Sequence, residues 1–369
     1  MKIMFVNFGL AIGGAEVITA NYLSRMKENG QDVCLMELFH HPSYLYDKLV
    51  EKQIPIYTIL DNSKNLLFKI VNKFFGRSII LKKTPQIINQ VKPDIIHLQG
   101  FFELLNLEKF GLNKVFLTIH SDLNRYLSPF SEAGKEKLYC MMKNGMHVIV
   151  LCDRARKDVL NFCPSADVHV IPNGLDIKGI KKQKYDKKLL CDELGISPDT
   201  FILGHVGRFY KVKNHEKLID VFMCLHQQKS NSVLVLVGDG TAKERAHLKK
   251  IIIEKRLEDC VFFLGVRSDA IAIMSCFDAF ALPSFQESFS LVLVEAQAHN
   301  IRCVASDTVP DEVVCNDNCF TLSIQESSEK WASLLLDSCT RKDGVKSLYN
   351  FDINKVLADT NALYSNARF

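Results

Sequence analysis

Two carboxylates, eight residues apart, mark the segment of the sequence best suited to chemistry. Glu287 lies just before an apolar helix predicted over 290–299, and Glu295 lies within that helix. A carboxylate among apolar side chains indicates a specific role, because burying its charge without a partner costs free energy. Two acids beside a helix start, which attracts anions, suit a ligand with hydroxyls next to a phosphate, such as a nucleotide sugar. The competing interpretation is that Glu295 only faces solvent.

The start of the same helix would supply the contacts to the phosphate. Ser288 and Ser290 are residue types that favour the N-cap position. The backbone N–H groups of Leu291 and Val292 would then point at the bound anion. We therefore expect this helix end to hold a phosphate group.

A second group of residues follows the predicted strand Phe201–Val206. Gly207 and Arg208 end that strand, and Lys213 lies five residues after Arg208, at the start of a helix. Arginine offers a planar fork of donors and lysine a point charge, and the two together suit a diphosphate. A solvated basic loop is the alternative.

A glycine-rich turn follows the first predicted strand. Gly9, Gly13 and Gly14 would let the backbone approach a ligand closely, ahead of a helix N-terminus. Their spacing is not the G-x-G-x-x-G of dinucleotide-binding proteins, which argues against a dehydrogenase. Glu37 falls about where a ribose-binding acid would lie in such a protein. It is inside an apolar run, so we interpret it as structural.

Short apolar strands alternate with amphipathic helices, so we predict an α/β fold with parallel sheets. A second array of strands, with its own glycine turn, starts after the Lys-rich segment 178–188. This restart predicts two Rossmann-like domains, 1–172 and 173–345, that face each other across a cleft; one large sheet is the alternative. The predicted strands are Lys2–Phe8, Asp32–Phe39, Pro55–Leu60, Asp94–Leu98, Val115–His120, His147–Cys152, Val168–Ile171, Phe201–Val206, Ser232–Val237, Val261–Leu264, Ala279–Leu282 and Cys303–Ala305.

Composition excludes several other classes of protein. Of the 369 residues, 47% are hydrophobic and 24% are charged, which excludes a disordered chain. The net charge of +4 is too small to indicate nucleic-acid binding, and no apolar run approaches the roughly 18 residues of a membrane-spanning helix. The N-terminus also has too short an apolar stretch for a secretory signal. Twelve cysteines without a C-x-x-C pair indicate small buried hydrophobes in a reducing cytosol, with disulfides or a zinc site as the alternative.

Six short motifs occur in the same order as in one known family of enzymes. Together they resemble the family-4 retaining glycosyltransferases of the GT-B fold, over nearly the whole chain. The segment 283–307 is similar to the bacterial capsular and exopolysaccharide members. The six motifs are Gly13-Gly14-Ala15-Glu16, Asn173-Gly174-Leu175-Asp176, Gly207-Arg208 with Lys213-Asn214, Gly238-Asp239-Gly240, Phe263-Leu264-Gly265, and Glu287 with Glu295.

The resemblance implies a division of labour between the domains. Domain 173–345 would bind the nucleotide sugar and domain 1–172 the acceptor, with helices in 346–369 returning to the first domain. The reaction would transfer a sugar, with retention, from a nucleotide sugar to a lipid-linked or polysaccharide acceptor in bacterial surface-glycan synthesis. The resemblance to this family favours a donor that carries uridine diphosphate (UDP). No cofactor or metal is expected, because Arg208 and Lys213 would neutralise the diphosphate leaving group.

The resemblance also assigns roles to single residues. Glu295 would accept hydrogen bonds from the ribose and Glu287 from the donor sugar, while His120 would lie beside the transferred sugar. Serine replaces the usual family glycine at 288 and 290, and Asn300 replaces another glycine whose left-handed backbone asparagine can adopt. The expected catalytic residues are Glu287, His120, Arg208 and Lys213. The expected donor-binding residues are Gly13, Gly14, Arg208, Lys213, Gly238, Val266, Arg267, Glu287, Ser290, Leu291, Val292 and Glu295.

The segment 64–83 could bring the enzyme to a membrane, where a lipid-linked acceptor would lie. It holds six basic residues and no acid, and its apolar residues follow a helical period. Such a helix can lie on an anionic membrane surface, which would place a cytoplasmic enzyme peripherally at the inner face of the cell membrane. The alternative is a helix that packs on its own domain. The basic residues are Lys64, Lys69, Lys73, Arg77, Lys82 and Lys83, and the apolar ones are Leu67, Ile70, Val71, Phe74 and Phe75.

Two other functions stay open on the sequence alone. One is a nucleotide-sugar epimerase with the same fold. The other is a catalytically silent protein that binds sugar nucleotides. Release of nucleoside diphosphate with and without an acceptor would separate them from a transferase, because an epimerase consumes donor without acceptor and a binder releases nothing.

Overall fold

The computed structural model describes residues 1–10, 13–40, 42–61, 66–100, 105, 107–339 and 347–367, the segment 66–74 by its backbone alone. The chain divides into two compact units. The first comprises Met1–Leu175 with Phe351–Phe369, and the second comprises Asp176–Asn350. Each unit has its own sheet, so the alternative of one large sheet is wrong.

A parallel sheet of seven strands, in the order β3-β2-β1-β4-β5-β6-β7, forms the centre of the first unit. Most of its strands are continuous apolar runs, as expected for a parallel sheet covered by helices on both faces. The strands are β1 (Lys2–Asn7), β2 (Asp32–His40), β3 (Ile56–Asp61), β4 (Ile95–Leu98), β5 (Val115–Ile119), β6 (His147–Val150) and β7 (Asp167–Val170). The helices are α1 (Gly14–Glu28), α2 (Tyr44–Glu51), α3 (Leu66–Val91), α4 (Leu123–Leu127), α5 (Glu132–Lys143) and α6 (Asp153–Phe162).

Helix α3 contains the basic segment and runs through Pro85 without a break. Beyond residue 74 the helix packs on β3: Ile80 is buried, and Lys83 donates from Nζ to the backbone oxygen of Ile59 at 3.0 Å. Phe75 remains exposed. The side chains of Lys64, Lys69 and Lys73 lie outside the described residues, as do those of Leu67, Ile70, Val71 and Phe74.

The second unit has a parallel sheet of six strands in the order β10-β9-β8-β11-β12-β13. Its helix starts carry local signals; at Thr241, for example, the hydroxyl accepts from the Glu244 N–H while the Glu244 carboxylate accepts from the Thr241 N–H. The strands are β8 (Phe201–Val206), β9 (Ser232–Val237), β10 (Val261–Gly265), β11 (Ala279–Leu282), β12 (Arg302–Ser306) and β13 (Cys319–Leu322). The helices are α7 (Ile177–Lys182), α8 (Lys187–Leu194), α9 (His215–Gln228), α10 (Ala242–Glu254), α11 (Ala270–Met274), α12 (Leu291–Ala298) and α13 (Ser328–Leu336).

The last helix, α14 (Ile353–Asn366), belongs to the first unit and packs on α1. The crossing is tight at Gly174, where an added Cβ would lie 3.0 Å from Ile353 Cα. Backbone hydrogen bonds join Leu175 N–H to Phe351 O at 2.7 Å and Ile353 N–H to Leu175 O at 2.9 Å. The first unit therefore ends at Leu175, three residues beyond the expected boundary, because Leu175 pairs with the returning chain.

The cysteines are all free. Cys140 and Cys339 are exposed, Cys260 is partly buried and the other nine are buried. Among the described residues, no helix is both long enough and apolar enough to cross a membrane.

Candidate active site

Three glycines end adjacent strands of the second unit and leave their backbone open at the carboxyl edge of the sheet. Gly207 donates its N–H to Val237 O at 2.9 Å, and Gly238 donates to Gly265 O at 2.8 Å. Gly238 has φ +129°, and a Cβ there would lie 2.0 Å from Gly207 O. Glycine is therefore required at 238, because the backbones of the two strand ends approach closely there.

Lys213 and Glu287 come together at this edge although 74 residues separate them in sequence. Lys213 Nζ lies 2.7 Å from Glu287 Oε1, and Ser284 Oγ donates to the same oxygen at 2.7 Å. Glu287 is only 7% exposed and Lys213 is 21% exposed. A charged pair that is mostly removed from water holds its geometry firmly, so Glu287 fixes the position of the lysine ammonium.

The start of α12 differs from what we expected. Ser290 occupies the N-cap position, but its φ of +74° is left-handed and its side chain does not cap the helix. Its buried hydroxyl has no hydrogen-bond partner. The expectation of a serine cap was wrong, because the backbone keeps the conformation that glycine would adopt. Asn300 has φ +61°, the left-handed conformation expected there.

Glu295 lies in the middle of α12 and is partly exposed. Burial among apolar neighbours raises the pKa of Glu295 to about 7. The carboxyl group therefore changes charge near neutral pH, and hydroxyl donors from a ligand would favour its ionised form.

The remaining expected donor contacts differ in how firmly they are held. The Arg208 guanidinium is exposed and lies 5.8 Å from the centre of the Tyr210 ring. Arg267 forms ion pairs with Asp269 at 2.8 Å and Glu193 at 2.9 Å, so its side chain is already engaged. Val266 beside it is 76% exposed, so its side chain is accessible to a ligand.

In the first unit, His120 directly follows β5. Its Nε2 lies 2.8 Å from Gln99 Oε1, and its Nδ1 is buried without a hydrogen-bond partner. Burial lowers the pKa of His120 to about 4, so the ring is neutral at pH 7. Because the amide oxygen only accepts, the proton lies on Nε2, and Nδ1 is left as an acceptor. The sequence reasoning missed Gln99, whose only signal is its place just after β4.

The glycine-rich turn of the first unit leads into α1. Gly13 is the N-cap residue in an extended conformation, and Gly14 is the first residue of the helix. Residues 11–12, in the same turn, lie outside the described residues. The expected site residues in this unit thus follow β1 and β5, at the carboxyl edge of its sheet.

Two family models match nearly the whole chain in succession. The model described as Glycosyltransferase Family 4 matches residues 12–178, and the model described as Glycosyl transferases group 1 matches residues 186–348. The chain belongs to glycosyltransferase family 4. The resemblance that the six motifs indicated is thereby confirmed.

Individual bacterial relatives match parts of this chain. The putative glycosyltransferase EpsF of Bacillus subtilis is 34% identical over 46% of this chain, and N-acetyl-alpha-D-glucosaminyl L-malate synthase of Bacillus anthracis is 28% identical over 45%. These alignments span 44% and 42% of the relatives' own lengths, less than half of each. An Escherichia coli UDP-Gal:alpha-D-GlcNAc-diphosphoundecaprenol alpha-1,3-galactosyltransferase is 23% identical over 70% of this chain and 62% of its own.

Solved structures show the same fold. HepE of Anabaena, in complex with UDP and glucose, has a TM-score of 0.75 at 19% identity and covers 99% of this chain and 100% of its own. WaaG, described as a glycosyltransferase involved in lipopolysaccharide biosynthesis, has a TM-score of 0.66 at 15% identity over 99% and 97%. The two parallel-sheet units are those of the GT-B fold, which confirms the predicted fold class.

Proposed function

We propose that this chain is a retaining, metal-independent glycosyltransferase that moves a sugar from a nucleotide diphosphate donor to a growing glycan. The observation that carries the proposal is the Lys213–Glu287 pair at the glycine-lined edge of the second unit. A fixed ammonium beside open backbone suits a diphosphate leaving group.

The second unit holds the donor in this proposal. Lys213 and Arg208 neutralise the diphosphate as the bond to the sugar breaks, and the N–H groups of Leu291 and Val292 at the start of α12 add further donors. Glu287 holds Lys213 in place, and the family resemblance also assigns it to the donor sugar. Glu295 accepts the ribose hydroxyls, and Val266 lies against the base.

The first unit holds the acceptor. Gly13 and Gly14 bring backbone close to the donor, and neutral His120 accepts a hydrogen bond through Nδ1 from a hydroxyl of the transferred sugar. Gln99 keeps the proton of that ring on Nε2. This arrangement uses His120 to orient the sugar and not as a charged group, in agreement with its low pKa.

We infer that the donor is a UDP-sugar and that the acceptor is lipid-linked or a polysaccharide, in bacterial surface-glycan synthesis. The named activity of the Escherichia coli relative and the UDP in the HepE crystal support this inference. A cytoplasmic enzyme bound at the inner membrane face through the segment 64–83 would reach such an acceptor. Sedimentation with anionic vesicles that salt reverses would support that contact, and unchanged sedimentation of a Lys69→Glu, Lys73→Glu, Arg77→Glu variant would exclude it.

The decisive experiment measures release of nucleoside diphosphate from a panel of nucleotide sugars, with and without isoprenoid-diphosphate and oligosaccharide acceptors. A transferase releases it in step with acceptor, and NMR of the product reports whether the anomeric configuration is retained. Consumption of donor without acceptor would favour the epimerase, and binding without release would favour the silent binder. An absolute requirement for Mg²⁺ after EDTA treatment would contradict the proposed role of Arg208 and Lys213.

A further inference from the structure

Three side chains that the proposed reaction does not use converge at the opposite edge of the first unit's sheet. His147 is the first residue of β6, Asp167 is the first of the edge strand β7, and His169 follows two residues later. His147 pairs in register with Asp167, and residues two apart on a strand share a face. One potential ligand atom from each of the three lies within 4.8 Å of the other two.

The contacts of His147 direct its other nitrogen at the carboxylate. His147 Nε2 lies 3.1 Å from the backbone oxygen of Asn113, which can only accept, so Nε2 is the nitrogen that donates there. Nδ1 lies 2.6 Å from Asp167 Oδ2, so these two atoms are close enough to contact one ion.

His169 faces the same carboxylate. Its Nε2 is buried and lies 3.0 Å from Asp167 Oδ1, the second oxygen of that group. One divalent ion could therefore contact all three side chains, each through one atom.

We propose that His147, Asp167 and His169 bind one divalent transition-metal ion, with Zn²⁺ the best match. Two imidazoles and a carboxylate are typical zinc ligands, and water would complete a tetrahedron. Zinc–ligand bonds of about 2.0–2.2 Å place tetrahedral ligand atoms roughly 3.4 Å apart, somewhat farther than the 2.6 and 3.0 Å that separate the Asp167 oxygens from the two rings here.

The surroundings prepare His147 for this role. Metal-bound histidines usually donate their other N–H to a carbonyl or carboxylate, and the Asn113 oxygen supplies that contact. The buried ring of Phe116 stacks on His147, with centroids 4.5 Å apart and planes 11° from parallel. The ring orientation is therefore fixed before any ion binds.

The ion would be structural. His147 and Asp167 begin their strands, whereas His120 follows the carboxyl end of β5 at the other edge of the sheet. Metal here would tie β7 to β6 at the edge of the sheet opposite His120, so the proposal leaves the metal-independent transfer as it stands. Cysteine spacing does not indicate a zinc site, and the separation of His147 from His169 in the sequence matches no known zinc motif.

Titration of tag-free, chelator-treated full-length protein with Co²⁺ tests the proposal. We expect one equivalent to bind, with visible d–d absorption that Zn²⁺ abolishes, and Zn²⁺ should raise the melting temperature. His169→Ala and the isosteric Asp167→Asn should weaken Co²⁺ binding by at least the roughly 10- to 100-fold that loss of an outer-shell partner costs. His247→Ala is the matched control, because His247 forms a similar pair with Glu216 at 2.8 Å on the second unit.

Three outcomes would overturn the proposal. The first is the absence of stoichiometric Co²⁺ binding. The second is a thiolate charge-transfer band, which would assign the ion to exposed Cys140 or Cys339. The third is equal binding by Asp167→Asn, His169→Ala and the control. Far-ultraviolet circular dichroism of each variant shows that it has folded, so weaker binding can be assigned to the missing ligand.

Discussion

Glu287→Gln tests how the diphosphate site is assembled. Glutamine keeps the size of the side chain and can still accept from Ser284 Oγ, but it removes the charge that faces Lys213 at 2.7 Å. Hydrogen bonds to charged groups contribute about 1.5–3 kcal/mol, and each 1.36 kcal/mol is a factor of ten in rate. We therefore expect kcat to fall about 10- to 100-fold, with a smaller change in the donor KM.

The double variant separates positioning from direct contact. Lys213→Met removes the cation itself and should cost about 10²–10³-fold in kcat, as does loss of one preorganised donor in a transition state. If Glu287 acts through Lys213, adding Glu287→Gln to Lys213→Met should cost roughly threefold or less, because interacting residues are non-additive.

The assay is the initial rate of nucleoside diphosphate release, with kcat and KM measured for the wild type, both single variants and the double variant. Glu216→Gln is the control, since its carboxylate also forms an ion pair but lies exposed on α9. Full multiplication of the two losses in the double variant would refute the reasoning. Glu287 would then act independently of the lysine, as a direct contact to the donor sugar.

Three further predictions follow from the same geometry. With the pKa of Glu295 at about 7, the ionised carboxylate that accepts hydrogen bonds from the ribose becomes rarer as the pH falls. The donor Kd, measured by calorimetry, should therefore rise about tenfold per pH unit between pH 6 and 5. The Glu295→Gln variant should show no such dependence. Gly238→Ala places a Cβ 2.0 Å from a carbonyl oxygen and should lower the free energy of unfolding by about 2 kcal/mol or more, whereas Gly195→Ala, with open space around it, should cost less in the same denaturant titration. Gln99→Leu should lower kcat by up to about tenfold and allow the His120 ring proton to move from Nε2 to Nδ1, a change of tautomer that the ring's NMR shifts report. An unchanged tautomer would contradict the role assigned to Gln99.

The sequence alone was sufficient for most of the fold because buried parallel strands are continuous apolar runs between turn residues. Phe201–Val206, Ser232–Val237 and Ala279–Leu282 have the predicted bounds for that reason. Cys319–Leu322 was missed, because a short edge strand with Thr321 exposed lacks such a run. Ser290 was misinterpreted as a cap because residue preference does not report the sign of φ.

The types of the site residues were readable from the sequence, but their pairing was not. Lys213 meets Glu287 only because β8 and β11 are neighbours in the sheet, an order that no local pattern encodes. His147 faces Asp167 only through the register of β6 with the edge strand β7. Long-range juxtaposition of this kind comes from topology, whereas the motifs report each group separately.

The return of α14 to the first unit also constrains how the chain matures during synthesis. Tyr364 is fully buried and its hydroxyl bonds His97 Nδ1, while Gly174 N–H donates to Tyr22 at 2.6 Å beside the same crossing. A ribosome adding roughly 5–20 residues per second needs on the order of 10–30 s to make Asp176–Asn350 before α14 emerges. Throughout that interval the nascent first unit lacks the helix that covers Tyr22 and His97, whereas the residues of the second unit are already available to fold. Early termination of translation near the carboxyl end would therefore destabilise the first unit, although most of that unit is translated first.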